Sequence, residues 1–138
     1  MAWDADRVAL AVDESGIGCW VWCTKSGEIA WNSHMYTLFD KEPSSGPISY
    51  EADFATRLHP DDFARISRLV EASVSCGTRF NACYRVLHRD GSAISIMACG
   101  GESVEGSMVG TCVDVTKLLT TKLHESGVAS SEHPLLRQ

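Results

Sequence analysis

Three apolar-alternating runs follow one another in the second half of the sequence, and they restrict the fold more than any other feature. Residues 79–89 alternate Phe80, Ala82, Tyr84 and Val86 against Asn81, Cys83, Arg85 and Leu87. A period of two is the signature of a strand with one buried face. Asp90-Gly91 is strong hairpin chemistry, because both residues tolerate the positive φ of a tight turn. Residues 92–100 form the next expected strand, with Ile94 and Ile96 on one face. Glu105-Gly106 turns the chain again, and residues 107–115 form the last strand.

A helical block precedes these strands. Pro60 suits a first helical position, where its missing N–H costs nothing. Asp61 and Asp62 sit in the first turn, where the helix dipole favours carboxylates. Phe63, Ile66, Leu69, Val70 and Val74 recur at three- and four-residue steps until Gly77, which is a helix with one apolar stripe. Upstream, residues 41–49 read as loop. A short helix is expected over residues 51–58, and another begins at Asn32 or Ser33 and runs through Met35, Leu38 and Phe39.

The first part of the chain supplies a helix and a hairpin. Residues 3–15 mix Val8, Leu10, Ala11 and Val12 with charged residues and stop at Gly16. The runs Gly18-Cys19-Trp20-Val21-Trp22-Cys23-Thr24 and Glu28-Ile29-Ala30-Trp31 flank Lys25-Ser26-Gly27. Trp20 and Trp22 then share one face, with Val21 and Cys23 on the other. At the far end, Thr116 is placed to cap a helix carrying Leu118, Leu119 and Leu123. Strand runs separated by a helical block imply an α+β fold with an antiparallel sheet rather than a doubly wound parallel one. The helices must cover one face of that sheet, and the space between is the natural place for a small ligand.

Composition excludes several functions. The 138 residues, 44% apolar and 22% charged, suit one soluble domain that needs no disulfide or metal. A net charge of −6 argues against nucleic acid as the default partner. No run approaches the length of a membrane span, and the acidic start lacks the pattern of a signal peptide. The expected setting is cytoplasmic. The six cysteines show no CxxC or Cys/His ligand spacing and are read as reduced. No GxSxG, P-loop or HExxH is present, so no enzyme is indicated.

With these elements in order, the sequence resembles the PAS family over roughly residues 8–124. The likeness is to the subgroup common in bacterial sensor histidine kinases and cyclic-dinucleotide enzymes. Residues 10–22, with Gly16-Ile17-Gly18-Cys19-Trp20-Val21-Trp22, look like the family's opening helix and first strand. Trp31-Asn32 through Leu38-Phe39-Asp40, then His59-Pro60-Asp61-Asp62, then Tyr84-Arg85-Val86 with Arg89-Asp90-Gly91-Ser92, and finally Gly110 with Asp114-Val115-Thr116, are similar to its later motifs. The sequence departs from the subgroup at Cys23, at Asp40 where glycine is usual, and at Ile94-Ser95 where Arg-Trp is typical.

The resemblance implies a five-stranded sheet of order 2-1-5-4-3 with helices on one face. The chain divides into a flanking helix over residues 1–16, the PAS core over 17–116, a signalling helix over 117–126 and a linker or disordered tail over 127–138. The implied function is a sensory module, part of a two-component system, that detects a small ligand, a redox change or a partner. The alternatives are a ligand-free docking or dimerisation module and a heme-based gas or redox sensor. Candidate pocket residues are Trp20, Trp31, Tyr36, Phe39, Phe54, Phe63, Ile66, Tyr84 and Met97, although the same side chains also suit a filled core. Candidate relay residues are Asp114, Val115, Thr116 and Leu118, with Arg85 or Arg89 as partners for Asp114. No cofactor is required. Heme and flavin remain open, with His59, or less favourably His34 or His88, as a heme ligand. No cysteine has the context that flavin photochemistry needs. The expected partners are a downstream effector or a second copy of the chain. For the second copy, Val8, Val12, Leu118, Leu119 and Leu123 offer contacts, unless they cover the domain's own sheet.

Overall fold

The computed structural model describes residues 1–103 and 106–119. Helix α1, Ala5–Ser15, starts where the Asp4 carboxylate accepts from the Arg7 N–H and ends at Gly16 in the left-handed conformation. Strands β1, Gly18–Cys23, and β2, Ile29–Trp31, form the expected hairpin. Helix α2, Ser33–Leu38, is capped by Asn32, whose amide does three jobs. Its Oδ1 accepts from Met35 N–H at 3.2 Å and from Cys19 N–H at 2.9 Å, and its Nδ2 donates to Ile17 O at 3.0 Å. One side chain therefore fixes both the start of α2 and its seat on β1.

The segment before the long helix is less regular than the sequence predicts. A short 3-10 turn, Pro43–Ser45, lies in the expected loop. In place of a helix over 51–58 there is a π-helical turn, Tyr50–Phe54, followed by a 3-10 turn, Ala55–Arg57. At the first turn Ser49 Oγ accepts from Ala52 N–H and the Asp53 carboxylate accepts from Ser49 N–H, and Leu58 is drawn into an antiparallel bridge with Val86. Leu58 is extended in that bridge, so the helical turns stop at Arg57.

Helix α3, Pro60–Cys76, has the expected limits, with Gly77 in the left-handed conformation at its end. Strands β3, Phe80–Leu87, β4, Ala93–Glu102, and β5, Ser107–Asp114, complete one antiparallel sheet of order β2-β1-β5-β4-β3. Residues 116–119 begin a helix directly after β5. The rest of the expected signalling helix, with Leu123, the tail, and Glu105 of the expected turn lie outside the described residues.

The start of α3 closes the exposed edge of β3. His59 N–H donates to Arg85 O at 2.9 Å, Arg85 N–H donates to the Asp62 carboxylate at 2.8 Å, and Arg65 donates to Cys83 O at 2.8 Å. Edge strands invite foreign pairing unless their free backbone groups are engaged. Asp62 also receives the Arg85 guanidinium through two bonds, at 2.9 and 3.1 Å. This corrects the sequence-based pairing of Arg85 with Asp114. Arg89 instead binds Asp40, a residue with φ of 54°.

The core lies between the inner face of the sheet and the segment from α2 to α3. Phe39, Ile66, Val86 and Ile96 are wholly buried there. All six cysteines are free thiols. Among the described residues no helix is long and apolar enough to cross a membrane.

Candidate functional site

The sheet register assembles a cavity floor. Trp31, Trp20, Gly110, Gly100 and Phe80 pair in turn across all five strands. Their side chains share the inner face. Two adjacent glycines in the middle of the row leave a flat strip of backbone, and the Trp20 indole occupies it. A Cβ added at Gly100 would meet Trp20 Cζ2 at 2.5 Å. Gly110 is packed more tightly still, between Trp20 and Cys99 O. The neighbouring rows bring Met108 opposite Trp22, and Cys112 opposite Ala98.

Above this floor stand Met35 and Phe39 from α2, Tyr50 and Phe54 from the π-helical turn, and Val70 from α3. Together with the floor they line a half-open cavity of about 70 Å³ whose surface is almost entirely apolar. Aromatic rings meet in sequence around it. Trp22 stacks on Tyr50 with centroids 4.8 Å apart, Tyr50 meets Phe54 at 5.2 Å, and Phe54 meets Tyr84 edge-on at 5.9 Å.

The polar atoms of the lining face one another. Tyr84 Oη and Cys112 Sγ are 3.7 Å apart and buried. Burial pushes the Cys112 thiol up to about 12, against the opposing hydrogen bonds from Tyr84 and Trp20. Burial first, and then Cys112, raises the Tyr84 phenol well above its ordinary value. Tyr50 is raised as well, by burial and by nearby Glu51. At neutral pH these groups are uncharged, and no carboxylate, ammonium or guanidinium lines the cavity.

The structure gathers five of the sequence-nominated pocket residues around the cavity, namely Trp20, Trp31, Phe39, Phe54 and Tyr84. The other four do not line it. Tyr36 packs edge-on against the Trp31 ring from outside. Ile66 is completely buried in the adjoining core. Met97 pairs with Cys83 and Val113 on the other face of the sheet, because Ile96 and Ala98 take the inner positions of β4. Phe63 is 44% exposed, since α3 turns Asp62, Ile66 and Ser73 inward instead. Trp22, Met35, Tyr50, Met108 and Cys112 also line the cavity and were not nominated. For Trp22 the signal was present in its shared face with Trp20.

His59 does not face this space. Its Nδ1 accepts from Asp61 N–H at 3.1 Å. His34 approaches Asp13 O and His88 approaches Leu38 O. None of these three histidines lines the cavity.

The relay candidates occupy one junction. Val115 N–H donates to Ser95 O and Ser95 N–H donates to Thr116 Oγ1, each at 2.8 Å. Asp114 Oδ1 accepts from Thr116 N–H at 2.9 Å. Leu119 N–H closes the first helical bond onto Val115 O. Val115 and Leu119 are buried, whereas Leu118 is 55% exposed. On α1 no residue is buried, and Val8 is exposed.

Comparison with known proteins gives a consistent result. Residues 28–102 match the family model described as PAS fold. A solved sensory box histidine kinase/response regulator from Burkholderia thailandensis E264 superposes with a TM-score of 0.71 at 26% identity, covering 88% of this chain and 93% of that one. The N-terminal domain of a diguanylate cyclase with PAS/PAC sensor from Marinobacter aquaeolei gives a TM-score of 0.64 at 24% identity, over 74% of this chain and 97% of that one. Among curated proteins, the probable diguanylate cyclase DgcE of Escherichia coli K12 is 23% identical over 120 residues. That match covers 82% of this chain and spans about a tenth of the relative's length, 10%.

Proposed function

The chain belongs to the PAS fold family, and on that premise we propose that it is a sensory module in which the state of the cavity sets the position of the helix after β5. One observation carries this reading: β5 is part of both sites. Met108, Gly110 and Cys112 form cavity floor, and four residues beyond Cys112 Thr116 is bonded to β4. Packing changes under Trp20 therefore act on the strand whose end holds the helix.

Such a device works only where the stimulus favours one of two arrangements by differential interaction. The junction has the right scale. A hydrogen bond is worth about 0.5–1.5 kcal/mol net, so Ser95 and Thr116 hold the helix start without locking it. The effector is a separate domain or a second copy of the chain, in keeping with the histidine kinase and diguanylate cyclase names of the similar proteins.

The test fuses the full chain to a reporter kinase. Ala98→Leu, which intrudes on the cavity from the sheet, is expected to change kinase output, and Thr116→Ala is expected to suppress that change. Equal output from the unaltered fusion, the single variants and the double variant, all shown folded by circular dichroism, contradicts the relay.

A further inference from the structure

The sensory reading leaves the ligand unnamed, and the lining of the cavity restricts it. We propose that the cavity takes a small uncharged aromatic molecule of about one ring and excludes carboxylates and other ions. This inference rests on the cavity being the sensing site.

Three observations lead there. The first is polarity. Two hydrogen-bonding atoms of the lining, Tyr84 Oη and Cys112 Sγ, already face one another at 3.7 Å. No charged side chain is present to pair with an ionised ligand. Moving an unpaired charge into such a space is strongly unfavourable, whereas apolar cavities bind small apolar molecules.

The second is size. About 70 Å³ open to the centre of a water-sized sphere, where a single water needs roughly 10–15 Å³, is room for a few waters or about one ring. The third is shape. Trp20 lies flat on the Gly100–Gly110 strip, and Phe54 and Tyr84 meet edge-on. Aromatic rings favour offset-stacked and edge-to-face neighbours, and this lining offers both to an inserted ring. Trp22, Ile29 and Tyr50 are among the half-buried members of the lining.

The four methionines provide an internal control. Met35 and Met108 line the cavity, Met97 lies on the opposite face of the sheet, and Met1 is fully exposed. The experiment labels the methionine methyl groups of the full chain with carbon-13 and titrates toluene and, separately, benzoate. Toluene is expected to move the Met35 and Met108 signals saturably and to leave Met1 and Met97 in place, while benzoate at equal concentration moves none. Benzoate acting as strongly as toluene on Met35 and Met108 overturns the ligand class but keeps the cavity as a binding site. No response to toluene at Met35 and Met108 also overturns the class. The relay itself is judged separately, by the reporter fusion, where Ala98→Leu needs no ligand.

Discussion

The Trp20 indole lies on the backbone of Gly110, so close that no side chain fits between them. The two residues are direct partners across β1 and β5. The ring thus touches the strand that leads to the outgoing helix.

Gly110→Ala is expected to destabilise the fold by about 1–3 kcal/mol, the usual range for overpacking. The added methyl meets Cys99 O as well as the indole, so both the ring and the neighbouring strand must shift. Chemical denaturation measures the loss, and a shift of the tryptophan emission accompanies it. Gly101→Ala is the control, because its Cβ would find only Arg79 Cγ, at 3.9 Å.

Asp62 makes the fold sensitive to acid. Burial works to raise its carboxyl, but the side-chain and backbone bonds from Arg85, with further attraction from Arg65, bring the net shift below the ordinary value. A carboxylate depressed in the folded state stabilises fully above its unfolded pKa of about 3.9 and loses that contribution as pH falls through the folded value. Asp62→Ala is expected to cost about 1.5–3 kcal/mol at neutral pH, the range for hydrogen bonds to charged groups. Its stability should fall less than that of the wild type on acidification below about pH 4. Urea denaturation at several pH values checks both statements.

Asp40 sets two effects against each other. Its positive φ favours glycine, yet its carboxylate binds Arg89 through three bonds and Arg57 through one. Asp40→Ala removes the bonds and keeps a Cβ in the left-handed region, so it should lower the melting temperature more than Asp40→Gly. The reverse order in thermal unfolding would show that the strain is borne elsewhere.

The architecture was legible because its local signals agree. Strand alternation, the Asp90-Gly91 turn, Asn32 at the start of α2 and Pro60 followed by two aspartates each mark a boundary at its own position. The site was legible only where facing direction follows from such local patterns, as for Trp20. Met97 was misplaced although its neighbours Ile96 and Ala98 occupy the inner face by simple alternation. Phe63 fits the apolar stripe of α3, but Asp62 turns that helix toward the edge of β3, and no sequence period reveals an ion pair to Arg85. The Arg89–Asp40 contact spans a wider gap of 49 residues and was invisible for the same reason. Tyr50 was missed because it enters the cavity from an irregular turn between two capped ends.

The relay is tested most directly at the amides of Ser95 and Val115, whose hydrogen bonds join β4 to the start of the last helix. Two-dimensional nitrogen-15 spectra of the full chain, recorded with and without saturating toluene, should show both signals moving together with the methyl groups of Met35 and Met108. Movement of the two methyl groups with the Ser95 and Val115 amides unchanged would mean that the cavity binds without reporting, and would contradict the account.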